Sequence, residues 1–387
     1  MILIYCALGI IAGTICGLLP GLHSNNVAII FLATPLFGTE ATVFMLCLCT
    51  TQAFVEFVPS TYLGAPNPNT FESILPAQRM MLEGNALEAI TYAVLGGIVA
   101  VLLGTILTPF FFLFIEQNSE QIKLITPIIL FFALILFIAR EKGTRLKILA
   151  FFIIAASTTQ SLLFKDQVFP LICGYFGTAG LIYSLKEKKA MIKQKENFQI
   201  DPKKIIDSLK GLIGGAIVAV MPGIGSNTAA GIINVFSKTK DEKGYLTMLG
   251  SISLSNFFFS FSTLIALQKA RNGTMLALKD KIFYTQETLF LGTTIMLISA
   301  GIGAIITIFM AKKFNKIIEK INITKITIAS IAFMIFLVCI FNGVIGFTTL
   351  IFSTSLGLFV LSNKLNRSTC MSSLIVPTIL FYVFILT

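Results

Sequence analysis

The stretch PGLHSNNVA (Pro20 to Ala28) breaks an apolar run near the start of the chain, and PGIGSNTAA (Pro222 to Ala230) breaks another. At a shift of 202, Gly9, Gly13, Pro20, Gly21, Ser24, Asn25 and Ala28 fall on Gly211, Gly215, Pro222, Gly223, Ser226, Asn227 and Ala230. Chance supplies one Pro-Gly pair per half easily. It does not readily supply the same seven positions at the same spacing, so the pattern reads as an internal duplication. Further along, Ser60-Thr61 falls on Ser262-Thr263, Arg79 on Lys281, and Glu56 on the apolar Phe258.

The runs that these breaks interrupt belong to a very greasy chain. Of 387 residues, 56% are hydrophobic and 12% charged, with a mean hydropathy of +0.89. Soluble domains carry roughly twice that charge. Long apolar segments recur throughout, and the short alternating segments of a β-barrel do not. An all-α polytopic membrane protein follows. The net charge of +11 does not point to nucleic acid, because the basic residues sit in short loops between apolar spans. Seven cysteines lack CxxC spacing and read as small buried hydrophobes, and a single histidine leaves no His-based metal site. The N-terminus has no charged n-region, so the first helix is expected to stay in the mature chain.

The apolar segments divide into two ordered sets: residues 1–185 form one repeat, 186–204 a basic linker, and 205–387 the second repeat. Loop charges then give orientation. In the first repeat EQNSEQIK is nearly acidic, REKGTRLK basic, KDQ nearly neutral and KEKKAMIKQK strongly basic. In the second, KKFNKIIEKINITK is basic, FNG uncharged and NKLNR basic, so equivalent loops face opposite sides. The repeats are therefore expected to be inverted, as in many secondary transporters. Inversion needs an odd number of crossings. About five transmembrane helices plus a re-entrant or broken helical hairpin at each Pro-Gly break satisfies it. The linker 186–204 is then cytoplasmic in a cell-membrane protein, with both termini extracytoplasmic.

Backbone outside helix or sheet is costly in hydrocarbon unless protein or a wet cavity satisfies it. Pro ends a helix by removing a donor, Gly permits unusual dihedrals, and Ser or Asn caps the next short helix. The bare N–H groups of such a helix suit a carboxylate or a phosphate. Pro20, Gly21, His23, Ser24, Asn25 and Asn26, with Pro222, Gly223, Gly225, Ser226, Asn227 and Thr228, are thus candidate substrate-binding residues. The structural alternative is a pair of packed kinks.

The pattern G-x3-G-x6-P-G-[LI]-x-S in each half resembles the TctA family, the large membrane subunit of tripartite tricarboxylate transporters. GAPNPNTFESILPAQRMMLEGNALEAI (Gly64 to Ile90) resembles the family's Pro-rich loop and alanine-rich helix. The resemblance covers essentially the whole chain, as a short and divergent member: His23 stands where the family has Gly, and Ala65-Pro66-Asn67-Pro68 replaces its loop Pro-Gly. It implies cation- or proton-coupled carboxylate uptake, with a small membrane subunit and an extracytoplasmic binding protein as partners.

The lone charges are weighed separately. Glu56, near the end of an apolar span, is a candidate proton or sodium site, or else a carboxylate at the membrane edge. His23 either binds an anionic group, gates by pH, or fills the space that Gly225 occupies in the other half. Arg79 and Lys281 attract an anion or merely signal topology. Asn67 and Arg79 join the candidate substrate residues. Ser60, Thr61, Ser262 and Thr263 join Glu56 as candidate ion-coupling residues. No resident cofactor or metal is expected beyond coupling Na+ or H+.

The leading reading is a secondary transporter for a small organic anion. The alternative is a translocase for a polyprenyl phosphate or another anionic lipid carrier. An enzyme is not supported: HExxH, GxSxG and paired aspartates are all missing from the sequence. Membrane lipids surround the chain, and a homodimer stays open.

Overall fold

The computed structural model describes residues 1–19, 31, 34–63, 71–164, 167–185, 193–220, 226, 229–230, 233, 241–270, 272–318 and 323–386. Every regular element among them is helical. In the first half these are α1 (Ile2–Leu18), α2 (Gly38–Val55), α3 (Phe57–Leu63), α4 (Phe71–Leu82), α5 (Ala86–Gln117), α6 (Ser119–Ala139) and α7 (Thr144–Leu163). There follow α8 (Val168–Ile172), a π-helical turn (Cys173–Thr178) and α9 (Ala179–Ser184). The second half holds α10 (Ile206–Val220), α11 (Glu242–Leu267), α12 (Gly273–Lys279), α13 (Gln286–Ile318), α14 (Ile323–Ser362) and α15 (Ser372–Leu386).

Seven of the described helical runs are long and apolar enough to cross a membrane: α2 with α3, then α5, α6, α7, α11, α13 and α14. The chain is a multi-pass membrane protein. The apolar segments on either side of FNG, read as a loop from the sequence, run together as α14. Gly343, at φ +59° and ψ −151°, divides that run between them. Such backbone is open to glycine and strained for other residues, so the sequence puts its bend there.

Burial separates inner from outer helices. Across the most apolar stretch of α11 every residue is buried, and 94% are buried in the run of α2 and α3. The exposed faces of α6, α7 and α14 carry Phe131, Phe132, Phe151, Phe152, Phe336 and Phe352, the side chains hydrocarbon accepts. Because lipid offers no hydrophobic drive to bury a helix, close backbone approach and polar pairing must do it. Accordingly α5 and α11 cross at Gly96 and Gly250, each against backbone of the other helix (Thr247 and Ala93). Gly303 of α13 lies against Thr51 of α2, and Gly292 against Phe261 and Leu46.

The packing is exchanged between halves. The first half's α5 lies along the second half's α11, and the second half's α13 lies along the first half's α2. The starts of α5 and α11 meet where Lys243 Nζ bonds Glu88 Oε1 at 2.6 Å. The later part of α13 meets the end of α2 and α3, where the Tyr62 hydroxyl donates to the Ala311 carbonyl at 3.0 Å. Thr91 near the start of α5 and Lys312 near the end of α13 line one lateral apolar groove, so these two helices run antiparallel.

The outer helices form a second hydrophobic cluster, again shared between halves. The π-helical turn packs on α14, where the Thr178 and Thr354 hydroxyls are 2.5 Å apart, and α7 meets α15 through Ser157 and Ser372 at 2.5 Å. Arg367 is buried and donates to the Phe176 carbonyl in the π turn at 3.1 Å. Six of the seven cysteines are buried and Cys339 is exposed, which agrees with a packing role for most.

At the end where α5 and α11 begin, the described part of the linker is docked. Gln194 accepts from Ala86 N at 3.1 Å and donates to the Met81 carbonyl at 2.9 Å, closing the start of α5. Lys204 pairs with Asp241 at 2.6 Å, and Asp241 also caps α11 through Gly244 N. The linker thus ties the two halves together across their inner helices.

Candidate functional site

The site is built on α2, and its geometry starts with one proline. Pro59 has no N–H for the Val55 carbonyl, and its ring crowds that carbonyl, so the helix breaks where α2 ends at Val55 and α3 begins at Phe57. Glu56 is the residue at the break. It is 1% exposed, and its backbone N–H still reaches the Gln52 carbonyl at 2.9 Å. One turn back, Gln52 Nε2 donates to Glu56 Oε2 at 3.4 Å, so a buried amide backs the carboxylate.

Around this pair the polar atoms are dense. Thr50 Oγ1, Thr51 Oγ1, Gln52 Oε1 and Ser60 Oγ are all buried and have no hydrogen-bond partner among the described residues. In a packed protein nearly all such atoms are paired, and each exception calls for a reason. Gln52 and Ser60 lie on the face of Glu56, one turn before and after it, whereas Thr50 and Thr51 project from other sides of the same run, Thr51 towards Gly13 and Gly303. The two on the Glu56 face each carry an acceptor oxygen, which together with a carboxylate is a set that suits a hard cation or a proton.

The second half has a matching place, which glycine contacts locate. On α1, a Cβ at Gly9 would lie 2.5 Å from the Phe44 carbonyl and 2.8 Å from Cys47 Cβ, and one at Gly13 would meet Leu48 and Thr51. On α10, Gly211 faces Met248 and Ser251, while Gly215 faces Ser255 and Asn256. The bonds repeat this pairing: Cys47 lies 3.3 Å from Cys6, and Ser251 donates to the Ser208 carbonyl at 2.5 Å. The first helices of the two halves therefore correspond at a shift of 202, whereas Cys47 with Ser251 and Thr51 with Ser255 require two residues more.

This corrects the sequence alignment. The residue equivalent to Glu56 is Ser260, not Phe258, and Ser60-Thr61 do not correspond to Ser262-Thr263. The reason is a sequence two residues longer between the Pro-Gly pair and the inner helix in the second half, which no motif in that stretch reveals. Set in register, CLCTTQAFVE (Cys47 to Glu56) lies on SISLSNFFFS (Ser251 to Ser260). Gln52 falls on Asn256, and Asn256 Oδ1 accepts from Ser260 Oγ at 3.0 Å, one helical turn apart like Gln52 and Glu56. Thr50, Thr51, Gln52, Ser253, Asn256 and Ser260 were not singled out from sequence. Their alternation of small polar residues within apolar runs is the signal that would have found them.

The other candidates divide into four groups. Pro20, Gly21, His23, Ser24, Asn25, Asn26, Asn67, Pro222, Gly223, Gly225, Asn227 and Thr228 lie outside the described residues. Ser226 is described: it is helical and buried, and its hydroxyl has no partner among the described residues. Ser60 and Thr61 are buried beside the break, whereas Ser262 and Thr263 bond back to the Phe258 and Phe259 carbonyls of their own helix at 3.3 and 2.8 Å. Arg79 is exposed and pairs with Glu242 at 3.5 Å, at the linker end of the inner helices. Lys281, its expected partner in the other half, reaches the Thr34 and Leu36 carbonyls, holding the chain that leads into α2. Among the described residues no group of three or more His, Cys, Asp or Glu side chains could hold a metal ion.

Comparison with known proteins agrees with this architecture. The family model described as the tripartite tricarboxylate transporter TctA family matches residues 3–372. An uncharacterized protein of Methanocaldococcus jannaschii is 29% identical, over 98% of this chain and 98% of its own length. No solved structure matches.

Proposed function

Since the chain belongs to the tripartite tricarboxylate transporter TctA family, we propose that it is the large membrane subunit of a secondary transporter for a small organic anion, with a carboxylate as the bound group. The observation that carries the proposal is the buried Gln52–Glu56 pair at the break between α2 and α3, amid hydroxyls without partners among the described residues. A carboxylate so placed is costly in a membrane unless it has work to do. Coupling to H+ or Na+ is that work, with Ser60 and Thr61 beside it. The family match favours a carboxylate cargo over a lipid-linked phosphate.

In this reading residues 1–185 and 205–387 are inverted repeats. The exchanged packing of α5 on α11 and of α13 on α2, and the antiparallel run of α5 and α13, support it. The stretches around Pro20-Gly21 and Pro222-Gly223 bind the anion, with His23, Ser24, Asn25, Asn26, Ser226, Asn227 and Thr228 adding hydrogen bonds; all of these but Ser226 lie outside the described residues. Access alternates as the inner and outer hydrophobic clusters rock against each other. The linker 186–204 lies in the cytoplasm and both termini outside. The partners are a small membrane subunit and an extracytoplasmic binding protein, and a homodimer is compatible with the exposed outer helices.

The test is uptake of labelled mono-, di- and tricarboxylates into proteoliposomes along Na+ and proton gradients. The wild-type chain is expected to accumulate at least one of them. Replacing Ser226 and Asn227 together by Ala is expected to lower that uptake while the protein still elutes as a folded species. Uptake that survives unchanged removes the second Pro-Gly corner from the mechanism.

A further inference from the structure

The two equivalent polar pairs of the inner helices have opposite hydrogen-bond sense. In the first half the amide nitrogen of Gln52 is spent on Glu56, at 3.4 Å, and its carbonyl oxygen is left without a partner among the described residues. In the second half the amide carbonyl of Asn256 is spent on the Ser260 hydroxyl, at 3.0 Å. What remains there is Nδ2, a group with two hydrogens to donate and no acceptor character. One turn of helix earlier stands Ser253, fully buried, whose hydroxyl has no partner among the described residues. Residues three apart share a helix face with Cβ atoms about 5–6 Å apart, so Asn256 and Ser253 lie on one face of α11. Asn256 keeps 8% of its surface accessible on a helix otherwise almost wholly enclosed. One pair therefore presents an amide oxygen beside a carboxyl group, and the other presents an amide N–H group and no ionisable side chain.

From this reversal we propose that Asn256, with Ser253, is an anion-binding element of the second half: its amide hydrogens bond a carboxylate oxygen of the transported solute. The acceptor-rich pair of the first half takes the coupling cation. The inference rests on the transport reading above and deepens it by assigning cargo and ion to different halves. The duplicated helix supplies both sites because the exchange of Glu56 for Ser260 at one equivalent position turns the amide of its neighbour around. An ionised carboxylate accepts only, so it draws the amide nitrogen. A serine hydroxyl donates to the amide oxygen and leaves the nitrogen to the solute.

The experiment uses the full chain in proteoliposomes and the same panel of labelled carboxylates, comparing wild type with Asn256→Asp. Aspartate keeps the shape, accepts the same serine bond and presents an oxygen where the amide hydrogens were. KM for the carried acid is expected to rise by about tenfold or more, the scale for losing a hydrogen bond to a charged group. The half-saturating concentration of the coupling ion is expected to stay the same. If the aspartate variant fails to fold, Asn256→Ala, which removes the N–H donor without adding a charge, carries the same expectation. An unchanged KM overturns the assignment, as does a KM that holds while the ion dependence shifts, which would make this a second cation site. A wild-type chain that takes up none of the acids fails at the earlier step and sinks the transport reading itself.

Discussion

Replacing Glu56 by Gln separates coupling from folding. Glu56 is buried, about 9 Å short of the end of its span at about 1.5 Å per residue. A carboxylate held charged in a membrane helix costs about 2.5 to 3.5 kcal/mol on insertion-based scales. The amide has the same shape, and its oxygen still accepts the bond from Gln52 Nε2. The variant is therefore expected to unfold at the wild-type temperature or above it, with a gain bounded by that same cost. Transport should change in the opposite direction. A tenfold ion gradient stores about 1.4 kcal/mol per coupled ion, which sustains about tenfold accumulation of solute. Without the charge, Glu56→Gln should carry labelled acid down its own gradient and in counterflow, and accumulation should fall to about onefold. Proteoliposome uptake with and without an imposed gradient, beside thermal unfolding in detergent, reads both quantities. Gradient-driven accumulation at the wild-type level would refute the reasoning. So would a variant of lowered Tm with coupling intact, for then the carboxylate would be holding the fold together.

Further outcomes follow from packing. A side chain at Gly215 would meet Ser255 Oγ and lie 2.8 Å from the backbone nitrogen of Asn256, so Gly215→Val should cost at least about 1–3 kcal/mol, seen as a lowered Tm. A methyl group added at Gly301 would have nothing within 4 Å of it among the described residues, and Gly301→Ala should be neutral or stabilise by up to about 1 kcal/mol in the same assay. Arg367→Met removes the donor to the Phe176 carbonyl and should lower stability by about 1–3 kcal/mol, with partial recovery in Arg367→Lys.

The all-helical membrane class was legible because hydrocarbon demands long apolar runs, and those runs are visible residue by residue. Gly9, Gly13, Gly211 and Gly215 were visible as a repeated spacing, and the structure gives the reason: each brings its helix against the backbone of an inner helix. Glu56 stood out as a lone acid in an apolar run. The register of α2 against α11 was not legible. The motifs that anchored the comparison lie before the inner helices, and a two-residue difference in length leaves no mark in a chain of similar apolar residues. The contacts of the inner helices with the helices before them, Cys47 with Cys6, Ser251 with Ser208, and Thr51 and Ser255 with Gly13 and Gly215, reveal it. The polar pair at Asn256 and Ser260 was hidden by the same slip, since the wrong register set Glu56 against the apolar Phe258. Nor could the sequence tell that Arg79 is spent on Glu242, because that partner lies in the other half of the chain.

The exchanged seams have a consequence for how the chain is made. The inner helix α11 is among the less greasy spans, with a mean hydropathy of 1.4 against 2.6 for α5, and α5 is already in the bilayer when it emerges. For α2 the order is reversed: its cover, α13, leaves the ribosome only after most of the polypeptide has been threaded. Until then the acid and hydroxyls of α2 must wait beside lipid, or be sheltered by the insertion machinery. A nascent chain released before α13 emerges would therefore carry α2 uncovered and be a substrate for quality control.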